Sequence, residues 1–248
     1  MRYLLLSDIH SNLEALEAVL EEASGEYDSI LCCGDLVGYG PDPGAVVDRI
    51  RDLKPRIVRG NHDKAVLNLS ELAYFNPLAR AAAFWTREQL SSEQKEYLRI
   101  LPQGPLILPE ATVVHGSLLD EDEYLFAPLE AGASLQLAWN AVTFMGHTHV
   151  QGGFIRTGDG EILPIRHPFL QADKPGLLSL LPDSRYLINP GSVGQPRDRD
   201  PRAAFAIFEP LENCVKYLRV EYPVKTTQEK MRKAGLPDYL IERLSVGK

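Results

Sequence analysis

Along the first third of the chain, short apolar runs alternate with stretches in which apolar residues recur every three or four positions. Residues 3–7 read as a buried strand. Ser11 or Asn12 can cap the helix that follows, where Leu13, Leu16, Ala18, Val19 and Leu20 form a stripe with glutamates on the other side. Residues 29–33 make the next apolar run and break at Gly34. Residues 43–53 carry Val46, Val47, Ile50 and Leu53 at helical spacing and stop before Pro55, and residues 56–58 form a third strand ending near Gly60. This βαβαβ order predicts a parallel sheet with right-handed crossovers.

A mostly helical insert is expected over residues 76–101, with a second helix start at Ser91-Ser92-Glu93. Residues 112–114 and 141–145 are two more short strands, and residues 154–165 read as a hairpin turning at Thr157-Gly158-Asp159-Gly160. Residues 185–188, 203–209 and 215–221 predict further, antiparallel strands; helices over 226–233 and 238–244 close the chain. A parallel first half and an antiparallel second half predict one α/β domain spanning residues 1–248, with two sheets packed face to face and helices outside. The strands and helices after the hairpin are expected as a C-terminal extension of it.

The chain has 248 residues and a formal net charge of -8, which argues against a general binder of long nucleic acid. A phosphate-bearing small molecule stays compatible with that charge, because a bound metal inverts the local field. The N-terminus enters a strand without the basic segment and long apolar run of a signal peptide, and no window is apolar enough to span a bilayer. A cytoplasmic location is therefore expected, and oligomeric state is left open. Cys32, Cys33 and Cys214 suggest no disulfide framework and are expected to pack as small hydrophobes.

Five of the six histidines lie in short motifs that end predicted strands: Asp8-Ile9-His10, Gly60-Asn61-His62-Asp63, Val114-His115-Gly116 and Gly146-His147-Thr148-His149, with Gly34-Asp35 as a fifth station. Imidazole and carboxylate are ligands for divalent transition metals, and thiolate is absent from every station. Strands of an α/β sheet gather functional groups at their carboxyl edge, so these scattered stations are expected to converge. Any one histidine is more simply a hydrogen-bonded strand-end residue; the set together points to a metal site and an enzyme. His167, before Pro168, is expected in a surface loop.

In that order, these motifs resemble those of the calcineurin-like metallophosphoesterases over about residues 1–200. The resemblance implies a four-layer αββα sandwich and two divalent ions about 3.5 Å apart, bridged by a carboxylate. It implies Asp8, His10 and His149 on the first ion, Asn61, His115 and His147 on the second, Asp35 between them, and His62 as the catalytic histidine that contacts substrate. The activity implied is hydrolysis of phosphate esters by a metal-bridging hydroxide, with Mn²⁺ favoured and Fe, Zn²⁺, Ni²⁺ or Co²⁺ also suited to the donors.

One stretch departs from the family's protein phosphatases, which continue the second motif as Gly-Asp-x-Val-Asp-Arg-Gly. Here it reads Gly34-Asp35-Leu36-Val37-Gly38-Tyr39-Gly40. A phenol cannot replace a bidentate guanidinium without losing charge and geometry. The sequence is closer to the small bacterial and archaeal phosphodiesterase branch, and small phosphodiesters are the expected substrates. A phosphomonoesterase or dinucleoside polyphosphate hydrolase is the alternative. A non-catalytic metal-binding scaffold is disfavoured because every ligand position is filled. Tyr39 and Arg197 are the expected substrate contacts, Arg197 from a turn-rich segment starting at Asn189 that reads either as a rim loop or as a solvated one. The acidic run from Asp120 to Glu123 is expected as a solvated loop.

Overall fold

Strand β1 (Tyr3–Leu6) shows how the core is divided. Tyr3 and Leu5 join one hydrophobic cluster, while Leu4 and Leu6 join another. Successive side chains of a strand point to opposite faces, so an unbroken apolar run means a strand covered on both sides.

A computed structural model describes residues 1–165 and 175–248. After β1 come α1 (Leu13–Glu22), β2 (Ser29–Cys32), α2 (Pro43–Leu53), β3 (Arg56–Ile57), α3 (Asn61–Ala65), a 3₁₀ turn (Glu71–Tyr74), α4 (Pro77–Gln89) and α5 (Ser92–Ile100). The second half carries β4 (Leu106–Ile107), β5 (Thr112–Val113), α6 (Pro128–Leu137), β6 (Val142–Phe144), β7 (Gly152–Arg156) and β8 (Ile162–Ile165). It ends with β9 (Gly176–Ser179), β10 (Arg185–Asn189), β11 (Ala203–Glu209), β12 (Cys214–Val220), α7 (Val224–Lys233) and α8 (Asp238–Glu242).

The strands form two six-stranded sheets, ordered β3-β2-β1-β11-β12-β9 and β4-β5-β6-β10-β7-β8. Leu5, Leu31 and Phe208 of the first sheet meet Val113, Phe144 and Ile188 of the second in the layer between them. On the outer face of the first sheet, Leu4, Leu6 and Ile30 pack against Leu16 and Val19 of α1 and Val46 and Ile50 of α2. On the outer face of the second, Phe154 and Leu187 pack against Ala131 and Leu135 of α6. The result is the α/β, four-layer αββα sandwich.

The helix ends follow local chemistry. Asn12 Oδ1 accepts from Ala15 N at 3.2 Å to cap α1. Pro43 opens α2, which stops at Lys54 with φ 51° before Pro55. Ser91 and Gln94 form a reciprocal capping box on α5.

The expected halves mix within each sheet. Strand β10 pairs parallel with β6 on one side and antiparallel with β7 on the other. Strand β11 lies against β1 at the centre of the first sheet, so the C-terminal strands complete that sheet, with α7 and α8 beyond them. Helices α3 and α6 and strands β4 and β9 had no sequence signal: the apolar residues of α6 have little helical periodicity, and the other three are five residues or shorter. Adjacent Cys32 and Cys33 face opposite layers and are free. Among the described residues no helix is long and apolar enough to cross a membrane; His167 lies outside them.

Candidate metal centre

Five parallel strands deliver their carboxyl ends to one place. Asp8 follows β1, Asp35 follows β2, Asn61 follows β3, His115 follows β5 and His147 follows β6. The chain must turn sharply there while aiming a side chain inward, and the backbone shows the cost. Asp8, His10, Asp35, His147 and His149 all have φ between 47° and 66°. Left-handed backbone at a non-glycine residue is unfavourable by roughly 1–2 kcal/mol. Five such residues in one cluster mark a site held in shape by its surroundings.

Two ligand groups result, and Asp35 belongs to both: Asp8, His10, Asp35 and His149 in one, Asp35, His115 and His147 in the other. Asp35 Oδ1 is occupied by the backbone N–H of His62 at 2.8 Å. Its Oδ2 lies 3.6 Å from His10 Nε2 and 3.5 Å from His115 Nε2. Asp8 Oδ1 lies 3.4 Å from His149 Nε2, and Asn61 Oδ1 lies 3.1 Å from His115 Nε2. All of these except Asn61, which is half-buried, are buried.

The tautomers are set from behind. His10 Nδ1 donates to Val37 O at 3.0 Å, His149 Nδ1 to Gln195 O at 2.6 Å, and His115 Nδ1 to Cys33 O at 2.7 Å. His147 reverses the ring and donates from Nε2 to Asp122 O at 3.0 Å. Each remaining nitrogen points inward, so His10 Nε2 faces His149 Nε2 at 3.0 Å and His115 Nε2 faces His147 Nδ1 at 3.1 Å. On the neutral His10 and His149 rings these are two bare lone pairs, which repel at that distance unless a cation lies between them. Two imidazole nitrogens on one ion, each about 2.0–2.1 Å away, sit roughly 3.0–3.4 Å apart. The donors therefore fit divalent ions.

Electrostatics agrees. Burial pushes His10 and His149 well below the usual imidazole range and His147 down to about 3, which keeps them neutral ligands. Burial would lower His115 too, but the Asp35 carboxylate outweighs it and pushes that ring up to about 10. Burial also works against charge on Asp35, yet His115 and His62 beside it hold it well below the carboxylate range. Asp35 thus stays ionised beside the neutral rings of His10, His147 and His149, the protonation states in which these groups can hold a metal.

His62 stands apart from the ligand groups. Its ring lies 4.8 Å from His10, 4.5 Å from Tyr39 and 4.7 Å from Phe75. Its Nδ1 is buried without a partner and faces Gly38, where an added Cβ would collide with it. It borders a cleft of about 390 Å³ whose lining includes Asn61, His147 and Tyr39. Tyr39 is buried, and Arg197 sits over its ring at 5.6 Å. Arg197 also donates to Gln195 Oε1 at 3.1 Å, and it is not among the residues lining the cleft.

Several residues act here that sequence reasoning left unassigned. Asp63, the last residue of the Gly-Asn-His-Asp motif, is fully buried and accepts from the backbone N–H groups of Asp35, Leu36, Val37 and Gly60 at 2.9–3.2 Å. Asn189 Nδ2 donates to Gly146 O at 2.7 Å and fixes the His147 turn. The segment from Asn189 to Gln195 is buried behind the ligands and is neither a rim nor a solvated loop, with Val193 and Gly194 donating to Ser7 O and Asp8 O at 3.0 Å. The acidic run lies at the surface, with Asp120 and Asp122 exposed, and outside both ligand groups, but it is tied down. Glu121 is ion-paired to Arg59 at 2.8 Å and Lys64 at 3.0 Å, which holds the loop whose Asp122 carbonyl orients His147.

Residues 1–213 match the model of the calcineurin-like phosphoesterase superfamily domain. The chain is 37% identical to the uncharacterized protein MJ0912 of Methanocaldococcus jannaschii, over 98% of this chain and 97% of that one. Its fold is similar to the crystal structure of a metallophosphoesterase from Sphaerobacter thermophilus, with TM-score 0.86, 42% identity and all of both chains covered. The hypothetical protein PH1004 from Pyrococcus horikoshii OT3 shares the fold at TM-score 0.79 and 21% identity, over 100% of this chain and 98% of that one.

Proposed function

The chain belongs to the calcineurin-like phosphoesterase superfamily, and from that we propose that it hydrolyses small phosphodiesters at a two-ion centre. The observation that carries this reading is the membership of Asp35 in both buried ligand groups. One carboxylate oxygen faces both sets of imidazoles, as a bridge between two ions requires. Asp8, His10 and His149 would hold one ion and Asn61, His115 and His147 the other. Oxygen and imidazole donors without thiolate favour Mn²⁺. When bound, the ions supply Lewis acidity and a nucleophile near neutral pH.

His62 supplies the proton. With Nδ1 turned into the protein, Nε2 is the nitrogen left for the cleft, where it can protonate the leaving oxygen of the ester. Burial pushes this ring down to about 4, so it takes up a proton only beside an anion such as the substrate phosphoryl group.

The preference for diesters rests on charge. A monoester dianion asks for an extra cation, and Tyr39 stands where the phosphatase branch has arginine. Among the described residues lining the cleft there is no guanidinium. A diester monoanion needs less. The partner in this reading is a small phosphate ester, not long nucleic acid, consistent with the net charge of -8. A cytoplasmic location is part of the same proposal.

The test is hydrolysis of an aryl phosphodiester and its matching monoester by metal-stripped protein reloaded with Mn²⁺. Diester turnover should be faster, and His62→Ala should keep its metal content while losing about 10²–10⁴-fold in turnover. Faster monoester cleavage, or full turnover by His62→Ala, would overturn the reading.

A further inference from the structure

The walls of the cleft beside the metal centre are aromatic to a degree that folding does not explain. Tyr74, at the end of the 3₁₀ turn, is 90% exposed although it lines the cleft. Its neighbour Phe75 lines the cleft as well and packs on the His62 ring. From a different part of the chain, Tyr124 lies flat on the imidazole of His147, with ring centroids 3.7 Å apart and planes 25° apart. Phe126, 63% exposed, stacks on Tyr124 at 5.6 Å and 6° from outside the cleft lining. Rings left in water in a core would be buried instead, because each large aromatic side chain is stabilised by removing its apolar surface from water. Here two segments distant in sequence hold rings open beside the proposed proton donor and a proposed ligand.

We infer that this cleft is a subsite for a planar aromatic group esterified to the scissile phosphate, such as a nucleobase-bearing or phenolic alcohol, bound by stacking on the open ring of Tyr74, with Phe75 and the edge of Tyr124 as the other apolar walls. This rests on the phosphoesterase reading of the adjacent metal centre. The cleft volume of about 390 Å³ falls in the range of roughly 300–1,000 Å³ for small-molecule sites. The polar lining narrows the class further. Lys64 is the ammonium among the lining residues, and Glu121 and Asp122 already hold it, with Glu71 at 3.9 Å. Among the described residues no free cation is left in this lining for a second phosphate, which favours a ligand with one phosphate and one ring over a polyphosphate chain. Asn61 and Asn76 offer amides to the edge of such a ring.

The experiment is calorimetric binding to the Mn²⁺-loaded protein of three monoesters: adenosine 5′-monophosphate, phenyl phosphate and ribose 5-phosphate. Adenosine monophosphate and phenyl phosphate should bind about 10-fold or more tighter than ribose 5-phosphate. Tyr74→Ala should narrow that gap and Tyr74→Phe restore it; at 90% exposure the first variant threatens no core packing. A gap for adenosine monophosphate alone would identify a nucleobase, and equal gaps any aryl ring. Equal affinity for all three, or a gap unmoved by Tyr74→Ala, overturns the inference; no binding of any overturns the phosphate site it rests on, and the inference with it. Aromatic preference in binding without diester turnover would instead refute the phosphodiesterase reading and leave the subsite standing.

Discussion

Replacing Asp63 by asparagine changes one oxygen to a nitrogen with almost no change in size, and the loop that carries Asp35 depends on that oxygen. Asp63 Oδ1 accepts from Leu36 N at 2.9 Å and Val37 N at 3.2 Å; Oδ2 accepts from Asp35 N at 2.9 Å and Gly60 N at 3.0 Å. An asparagine carbonyl can serve one of these pairs. Its NH₂ then faces the other pair, donor against donor, in a place with no exposure to water. A buried N–H without an acceptor costs about 1–3 kcal/mol, so two cost about 2–6 kcal/mol. Relief of repulsion between Asp63 and Asp35 works in the opposite sense and puts the expected loss near 3 kcal/mol, a large share of the roughly 5–15 kcal/mol of a typical domain. Urea unfolding followed by circular dichroism, with linear extrapolation and the slope compared between variants, reads this loss directly. Asp63→Ala abandons all four donors and should lose more than Asp63→Asn. A loss below about 1 kcal/mol in Asp63→Asn, or the reverse order of the two variants, would show that the carboxylate does not hold the loop.

Three further outcomes follow from the same geometry. Gly38→Ala puts a Cβ against His62 Nδ1 at a backbone φ of 92°, so turnover should fall about 10-fold or more while metal content, read by plasma emission, is kept; full turnover would mean that His62 is not held there. Asp35→Ala removes the carboxylate common to both ligand groups and should take bound Mn²⁺ below one ion per chain; undiminished occupancy would remove Asp35 as the bridge. Chelation should lower the urea midpoint, because the facing nitrogens of His10 and His149 repel without a cation. Raising free Mn²⁺ to 100 times its Kd should restore about 2.7 kcal/mol, and a midpoint indifferent to Mn²⁺ would contradict the proposed site.

What the sequence determined by itself is periodic or local. Runs such as Leu4-Leu5-Leu6 are apolar at every position because both faces of the strand are covered, and that pattern already requires layers on either side. Caps at Asn12, Pro43 and Ser91 are read from neighbours a few residues away. The metal-binding stations are legible for a related reason: each places its ligands at the turn that ends a short strand, with glycine next to Asp35, Asn61, His115 and His147. Tertiary structure alone decided the rest, because it depends on partners far along the chain. The carbonyls of Val37, Gln195, Cys33 and Asp122 fix the imidazole tautomers, and a carbonyl is invisible in a sequence, since every residue has one. The role of Asp63 needs four amides from two loops to converge on it. The segment after Asn189, rich in turn residues, reads as surface, yet its N–H groups meet the carbonyls of Ser7 and Asp8 more than 180 positions earlier and bury it. Tyr74 and Tyr124 look in sequence like any core aromatics. Only the fold brings them, 90% and 44% exposed, to one cleft with His62 and His147.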